Sequence, residues 1–370
     1  MNRFTAGSNF THRTPPLTAV LLVQLGTPEE PEPGAVRRYL RQFLSDPRVV
    51  EIPRLAWWPI LHGIVLRTRP RRSAAKYRTV WTPHGSPLQV HTRRQAVLLR
   101  GSLGERSLDV AVVHAMRYGN PSVATVLREL RDRNLTRLLV LPLYPQYAGS
   151  TSASAFDAIS RELSRWRNLP ELRMVRGFHR EPAYVAALAA QVRRQWETHG
   201  RGDKLVMSFH GVPRRSLLQG DPYHCECLAT ARLLADELEL RPDQWVATFQ
   251  SRFGRARWLE PYTLPTLLEL ARSGTRSVDV ICPGFVADCL ETLEEIDVEA
   301  RAAFLAAGGT GFNYIACLNE SAHWIAALSE IAERQLAGWP VARLSEELQA
   351  RREAALVQRE ALARARGAVA

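Results

Sequence analysis

Residues 138–159 read LLVLPLYPQYAGSTSASAFDAI, and residues 278–296 read VDVICPGFVADCLETLEEI. Each is an apolar run of strand length, then a proline, an aromatic-bearing loop and a stretch with helical spacing, the order of a buried strand feeding a helix. The echo extends outward. LLVQLGTP (21–28) parallels LVMSFHGVP (205–213) as a strand that ends in a small-residue turn. VVHAMRYGNPSVATVLREL (112–130) parallels ATFQSRFGRARWLEPYTLPTLLEL (247–270) as a strand, an Arg-aromatic-Gly loop and a helix. Alternation of this kind is the pattern of a parallel sheet flanked by helices. The expected fold is therefore α/β, two similar doubly wound lobes with a cleft between them.

The pattern predicts strands at 18–24, 110–114, 138–143, 205–209, 245–249 and 278–282. It predicts helices at 34–45, 88–100, 121–134, 153–166, 181–198, 226–239, 263–273, 288–306 and 321–336. The lobes are placed at 1–175, with a lip segment at 55–75, and at 176–340, leaving 341–370 as a charged helical tail. In open α/β sheets ligands lie beyond the carboxyl ends of the strands. The chemistry is therefore sought in the loops of the repeated motifs.

At 370 residues, 46% hydrophobic and 23% charged, the chain has the composition of a globular protein rather than a disordered or fibrous one. Its net charge is +12, but Lys76 and Lys204 are the only lysines, so 47 of the 49 basic residues are arginines scattered along the sequence. No basic stripe interleaved with aromatics appears, and no nucleic-acid partner is expected. The stretch 1–17 is polar and lacks the apolar core of a secretory signal. The island LAWWPILHGIVL (55–66) is too short to span a bilayer. It suits either a buried helix or lid, or an interfacial segment anchored by Trp57 and Trp58. Five cysteines without a disulfide framework point to a reducing compartment. HCEC (224–227) has no second Cys or His pair to complete a structural zinc site, and none is expected there.

No spaced glycine set follows the first strand, and neither a G-x-S-x-G elbow nor H-E-x-x-H occurs. Two strand-end loops of the second half stand out. SFHGVP puts His210 directly after a buried strand, with Gly211 letting the chain turn away. A lone histidine there reads first as a strand-end cap, and beyond that as a proton acceptor or a metal ligand. GFVADCLETLEEID (284–297) gathers Asp288, Glu291, Glu294, Glu295 and Asp297. Acids in a first helical turn complement the macrodipole. On an α-helix, however, 288, 291 and 295 share one face, and each like-charged i,i+3 or i,i+4 pair costs about 0.2–0.5 kcal/mol. Such a row is kept at little cost where a cation visits, so the acids with His210 form a candidate place for metal passage or proton removal. Tyr118, Tyr144, Tyr147, Trp258 and Phe285 would wall a large planar ligand. Arg69, Arg72 and Arg117 would take carboxylates at its edge.

LVQLGTP, KYRTVWTPHGSPL, MRYGNP, LPLYPQYAGST, SFHGVP, GDPY, QSRFGRARWLEPYT and GFVADCLETLEEID occur in that order over about residues 18–330. In this the chain resembles the ferrochelatases, the terminal enzymes of heme synthesis. The resemblance implies two Rossmann-like lobes and insertion of Fe²⁺ into protoporphyrin IX with release of two protons. It implies that His210 is the active-site histidine, as pyrrole-proton acceptor or metal ligand. Glu291 would be the carboxylate on the opposite face of the macrocycle, with Asp288 and Glu295 the acidic path behind it. Arg117, Tyr118, Trp258 and Phe285 match pocket positions, and Arg69, Arg72 and Ser86 match positions near the propionates or the pocket lip. Segment 55–66 falls at the family's membrane-facing lip, so a cytoplasmic protein in peripheral contact with the inner face of the plasma membrane is implied. Gly149 stands where animal relatives have a cluster cysteine, and 340–370 contains no cysteine. No [2Fe–2S] cluster and no permanently bound cofactor are expected, iron being the substrate. Cys289 stands where some relatives have histidine. A cobalt or coproporphyrin chelatase, and a tetrapyrrole carrier without turnover, remain alternatives.

Overall fold

The computed structural model describes residues 4–5, 11–252, 254 and 256–368; positions 1–3 and 6–10 of the stretch 1–17, positions 253 and 255 of the loop after the 245–249 strand, and 369–370 lie outside them. In chain order the first lobe comprises β1 (Leu17–Gly26), α1 (Pro33–Leu44), α2 (Arg54–Ile60), α3 (Leu66–Val80), α4 (Pro87–Glu105), β2 (Ala111–Tyr118), α5 (Val123–Asp132), β3 (Leu135–Pro142), α6 (Ser154–Leu163) and β4 (Glu171–Met174). It is followed by α7 (Pro182–His199), β5 (Lys204–His210), α8 (Arg214–Leu218), α9 (Tyr223–Glu237), β6 (Trp245–Gln250), α10 (Thr263–Arg272), β7 (Ser277–Ile281), α11 (Leu290–Thr292), α12 (Arg301–Ala306), β8 (Gly311–Ile315), α13 (Ala322–Leu336) and α14 (Glu346–Ala365). Three π-helical stretches, Leu61–Val65, Gly149–Ala153 and Leu293–Ala300, interrupt or open helices.

The strands form two four-stranded sheets of the same order, β2-β1-β3-β4 and β6-β5-β7-β8, with every pairing parallel. This is the expected α/β architecture of two doubly wound lobes. The central strands are continuous apolar runs because both faces of a parallel sheet are covered; Ala19 through Val23 of β1 are fully buried. Each lobe has its own apolar cluster on one face, around Leu127, Val140 and Ile159 in the first and Val280, Ile296 and Phe304 in the second. The largest cluster is shared. It joins Val20, Leu99 and Leu139 of the first lobe to Leu205, Phe209 and Trp324 of the second, with α13 packed on both α4 and α7. The shared core holds the strand ends of the two sheets in a fixed relation.

Two expectations of local structure differ from what is found. The strands β4 and β8 are added at sheet edges. The island 55–66 belongs to a long helical lip, α2, a π turn and α3, which packs on α1 through Leu61, Leu66 and Tyr77. Trp57 does not face a membrane: it is buried, and its indole N–H donates to the Leu44 carbonyl at 2.7 Å. Among the described residues no helix is long and apolar enough to cross a membrane.

Candidate active site

His210 ends β5, and its register partner on β6 is Gln250. The imidazole is half-buried, and its Nδ1 lies 2.7 Å from the carbonyl of Gly211. A carbonyl can only accept, so Nδ1 carries a proton, and the ring in its neutral form keeps a lone pair at Nε2. Gly211 serves close approach rather than an unusual dihedral: a Cβ there would meet the Gln250 carbonyl at 2.6 Å and the Trp258 ring at 3.2 Å. The ring of Phe285 stands 6.4 Å from that of His210, inclined at 57°.

Gln250 carries the connection to the acidic segment. Its side chain is buried, accepts from the Ser208 hydroxyl at 2.7 Å, and donates through Nε2 to the Glu291 main-chain carbonyl at 2.7 Å. Ser208 is itself bonded to Thr263, and Thr263 to Thr248, so a row of hydroxyls orients the amide. His210 and Glu291, 81 positions apart, are thus brought to one end of the second sheet through one residue.

The acidic segment is not the regular α-helix expected over 288–306. Cys289 is extended, three residues of α11 follow, and Leu293–Ala300 is π-helical, with bonds from i to i+5. Asp288 therefore lies outside the helix and does not share a face with Glu291. Its buried carboxylate accepts from Asn319 at 2.6 Å, from Tyr314, Thr292 and the Cys317 N–H, and so fastens the second lobe. Glu295 accepts from the Ser251 N–H at 2.7 Å and its hydroxyl at 2.5 Å, and so pins the start of the 251–258 loop. Glu294 and Glu299 both hold Lys76 of the lip helix α3, at 2.9 and 2.7 Å. Burial pushes the Glu294 carboxyl up against the opposing pull of that ammonium.

Among the described residues Glu291 joins no ion pair. Its charge falls on two buried phenols that sequence reasoning did not single out, Tyr39 of α1 and Tyr77 of α3. Burial raises both pKa values well above the ordinary one, and Glu291 raises them further. They remain neutral donors beside an anion. Tyr77 sits within the quoted KYRTV, but Tyr39 reads locally as one more apolar position of an amphipathic helix. The Cys289 thiol, also pushed up by burial and by Glu291, stays protonated. Among the described residues no three His, Cys, Asp or Glu side chains gather to hold a resident metal.

The remaining predicted positions divide. Phe285 and Trp258 are half-buried beside His210 and Gly211, and the Trp258 indole N–H has no hydrogen-bond partner. Arg69 is half-buried and Arg72 exposed on α3. Ser86 is buried at the N-cap of α4 and accepts from Thr27 at 2.9 Å. Tyr144 is buried too, and its hydroxyl has no partner.

Arg117 and Tyr118 correct the expectation of an edge clamp and a flat wall. Arg117 is ion-paired with Asp46 and donates to Ser154, while the Tyr118 hydroxyl donates to Asp46 at 2.7 Å. Their side chains face the interior because Asp46, only 4% exposed, is a buried anion that requires them. Burial raises the Asp46 pKa, but the hydroxyls of Ser154 and Tyr118, the Arg48 N–H and the Arg117 charge outweigh it and hold the carboxyl below its usual range. The folded value is below the unfolded one, so this contribution is full above about pH 3.9 and is lost as pH falls through the folded value. Asp46→Ala, which strands a buried guanidinium, is expected to destabilise by about 3–5 kcal/mol in urea unfolding at pH 7. The variant should also lose less stability than the wild type on going to pH 3; an equal loss would remove Asp46 from the acid limb.

Comparison with known proteins places this arrangement. A family model described as Ferrochelatase matches residues 17–336. The chain is 59% identical to the ferrochelatase of Polaromonas sp. (strain JS666 / ATCC BAA-500) over 341 residues, 91% of this chain and 93% of that one. It is 62% identical to the ferrochelatase of Methylibium petroleiphilum (strain ATCC BAA-1232 / LMG 22953 / PM1) over 322 residues, 87% of this chain and 89% of that one. Among solved structures, SirB from Bacillus subtilis with Fe³⁺ superposes with a TM-score of 0.50 at 15% identity, covering 69% of this chain and 93% of that one, a likeness of fold alone.

Proposed function

The chain belongs to the ferrochelatase family and is a lyase that inserts iron into porphyrin, and on that premise we propose how its own residues do so and on which porphyrin. The substrate is protoporphyrin IX with Fe²⁺, and the two pyrrole N–H protons leave as the metal enters. His210 accepts a pyrrole proton at Nε2 on one side of the macrocycle, the role that its Nδ1–H bond to Gly211 prepares. Glu291 accepts the other, or meets the arriving cation, from the opposite side. Phe285 and Trp258 flank the ring edge, and Arg69 and Arg72 lie on the helix closest to its propionates. A site complementary to a bent macrocycle lowers the barrier because the ring nitrogens become accessible only on distortion. The observation that carries this reading is the Gln250 link, register partner of His210 and donor to Glu291 at 2.7 Å.

The test is anaerobic incubation with Fe²⁺ and either protoporphyrin or coproporphyrin, followed by the Soret shift. Faster turnover with protoporphyrin is expected, and equal or faster turnover with coproporphyrin overturns the substrate assignment. A chelatase without an iron–sulfur cluster is supported by Gly149, which offers no thiol and whose N–H donates to Asp221 at 2.7 Å.

The lip reads as a peripheral contact with the inner face of the plasma membrane by a cytoplasmic protein. Leu55 is 95% exposed and Ile64 61%, with Trp58 and Ile60 beside them and exposed Arg54, Arg67 and Arg71 around them. Apolar side chains with flanking cations suit an anionic lipid face. Leu55→Ser combined with Trp58→Ser should weaken co-sedimentation with anionic vesicles about tenfold, the loss of roughly 1.4 kcal/mol of apolar burial. Unchanged co-sedimentation would remove the lip from membrane contact.

A further inference from the structure

Away from His210 and Glu291, neither of which lines it, the first lobe carries a hollow of about 310 Å³. Its walls come from the ends of β3 and β4, from the π-helical opening of α6 and from the segment after α1, the place where open α/β sheets take ligands. Tyr147, Phe156 and Met174 supply an apolar lining, and Phe156 is 47% exposed. Two guanidiniums stand at its edge. Arg48 spends Nε and Nη2 on Asp157, at 2.8 and 3.2 Å, and Arg176 spends Nη1 on Glu226 at 2.9 Å while lying 4.3 Å from the centre of the Tyr147 ring. A guanidinium has five N–H donors, so each retains some for a further acceptor. Ser152, 1% exposed, also lines the hollow, and its buried hydroxyl has no hydrogen-bond partner. Buried polar groups without a partner are few in native proteins, and this one lies at the start of a helical run, where anions are favoured.

We propose that this hollow binds a small organic monoanion with a flat apolar body, an arylalkyl carboxylate. Its ring lies between Tyr147, Phe156 and Met174, and its carboxylate accepts from the remaining N–H groups of Arg48 and Arg176 and from the Ser152 hydroxyl. Asp157 and Glu226 already neutralise part of the cationic charge, which favours a single carboxylate over a phosphate-bearing polyanion. The size lies at the small end of ligand cavities and suits one ring rather than a macrocycle.

The experiment uses the full chain without porphyrin or iron, so its outcome is separate from the chelatase reading. Phenylacetate, and phenylacetamide as its neutral counterpart, are titrated by saturation-transfer NMR. Phenylacetate should bind at about millimolar concentration, as expected of roughly ten heavy atoms, and the amide about tenfold more weakly. Ser152→Ala and Arg176→Gln should each weaken phenylacetate about three- to tenfold, the removal of one hydrogen bond. Arg176 is 60% exposed, so its replacement leaves a folded protein on which the test can be read. Equal binding of acid and amide, equal binding by both variants, or no binding at about 10 mM overturns the proposal.

Discussion

His210→Ala is expected to lower the rate of iron insertion about 10²- to 10⁴-fold, the contribution of a positioned proton acceptor. The Nδ1–H bond to Gly211 leaves Nε2 as the only acceptor of the neutral ring, so the loss should fall on turnover. Phe285 and Trp258 remain in place, and quenching of porphyrin fluorescence on binding should change little. Added imidazole should restore part of the rate. Porphyrin bound normally and iron inserted at the wild-type rate would instead describe a carrier in which the histidine caps a strand. Loss of binding and turnover together, with no rescue, would assign His210 to packing against Phe285.

Glu291→Gln is expected to lower turnover by a similar factor of about 10² to 10⁴ while leaving the fold intact. The amide keeps the shape of the side chain, and the main-chain carbonyl that Gln250 holds is untouched. What is lost is a negative charge beside two neutral phenols, Tyr39 and Tyr77. Removing it should also lower the pKa of Tyr77, on which Glu291 acts next after burial. Asp288→Asn provides the contrast. Asp288 accepts from Asn319, Thr292, Tyr314 and the Cys317 N–H, so its replacement should reduce stability before it touches turnover. A Glu291→Gln enzyme with wild-type turnover would remove that carboxylate from the chemistry.

The positions along the fold that are legible in the sequence are those set by a strand end. β5 is an apolar run that must be buried, so the residue following it emerges at the carboxyl edge, and His210 does. Position along a strand settles where such a side chain is, and the repeated motifs settle that both sheets end alike. The acids were read less well. The sequence of 288–306 predicts an α-helical period, but Leu293–Ala300 bonds from i to i+5, and Asp288 precedes the helix, so the expected common face does not exist. Arg117 reads as a clamp because nothing near it in the chain carries its counter-charge; Asp46, 71 positions away, does. The edge strands β4 and β8 were missed because ELRM is largely exposed and GFNYI buries only Phe312 and Ile315, too little alternation to read.

From the sequence alone follow the alternation of strands and helices, the doubling of the lobe and the loops that hold the reactive side chains, since hydrophobic period and turn chemistry act over a few neighbouring residues. Which carboxylate stays outside every ion pair among the described residues and which is consumed in holding the protein together was decided only in three dimensions. A buried charge must find its partner through space, and partners such as Asp46 and Arg117 leave no local mark in the chain.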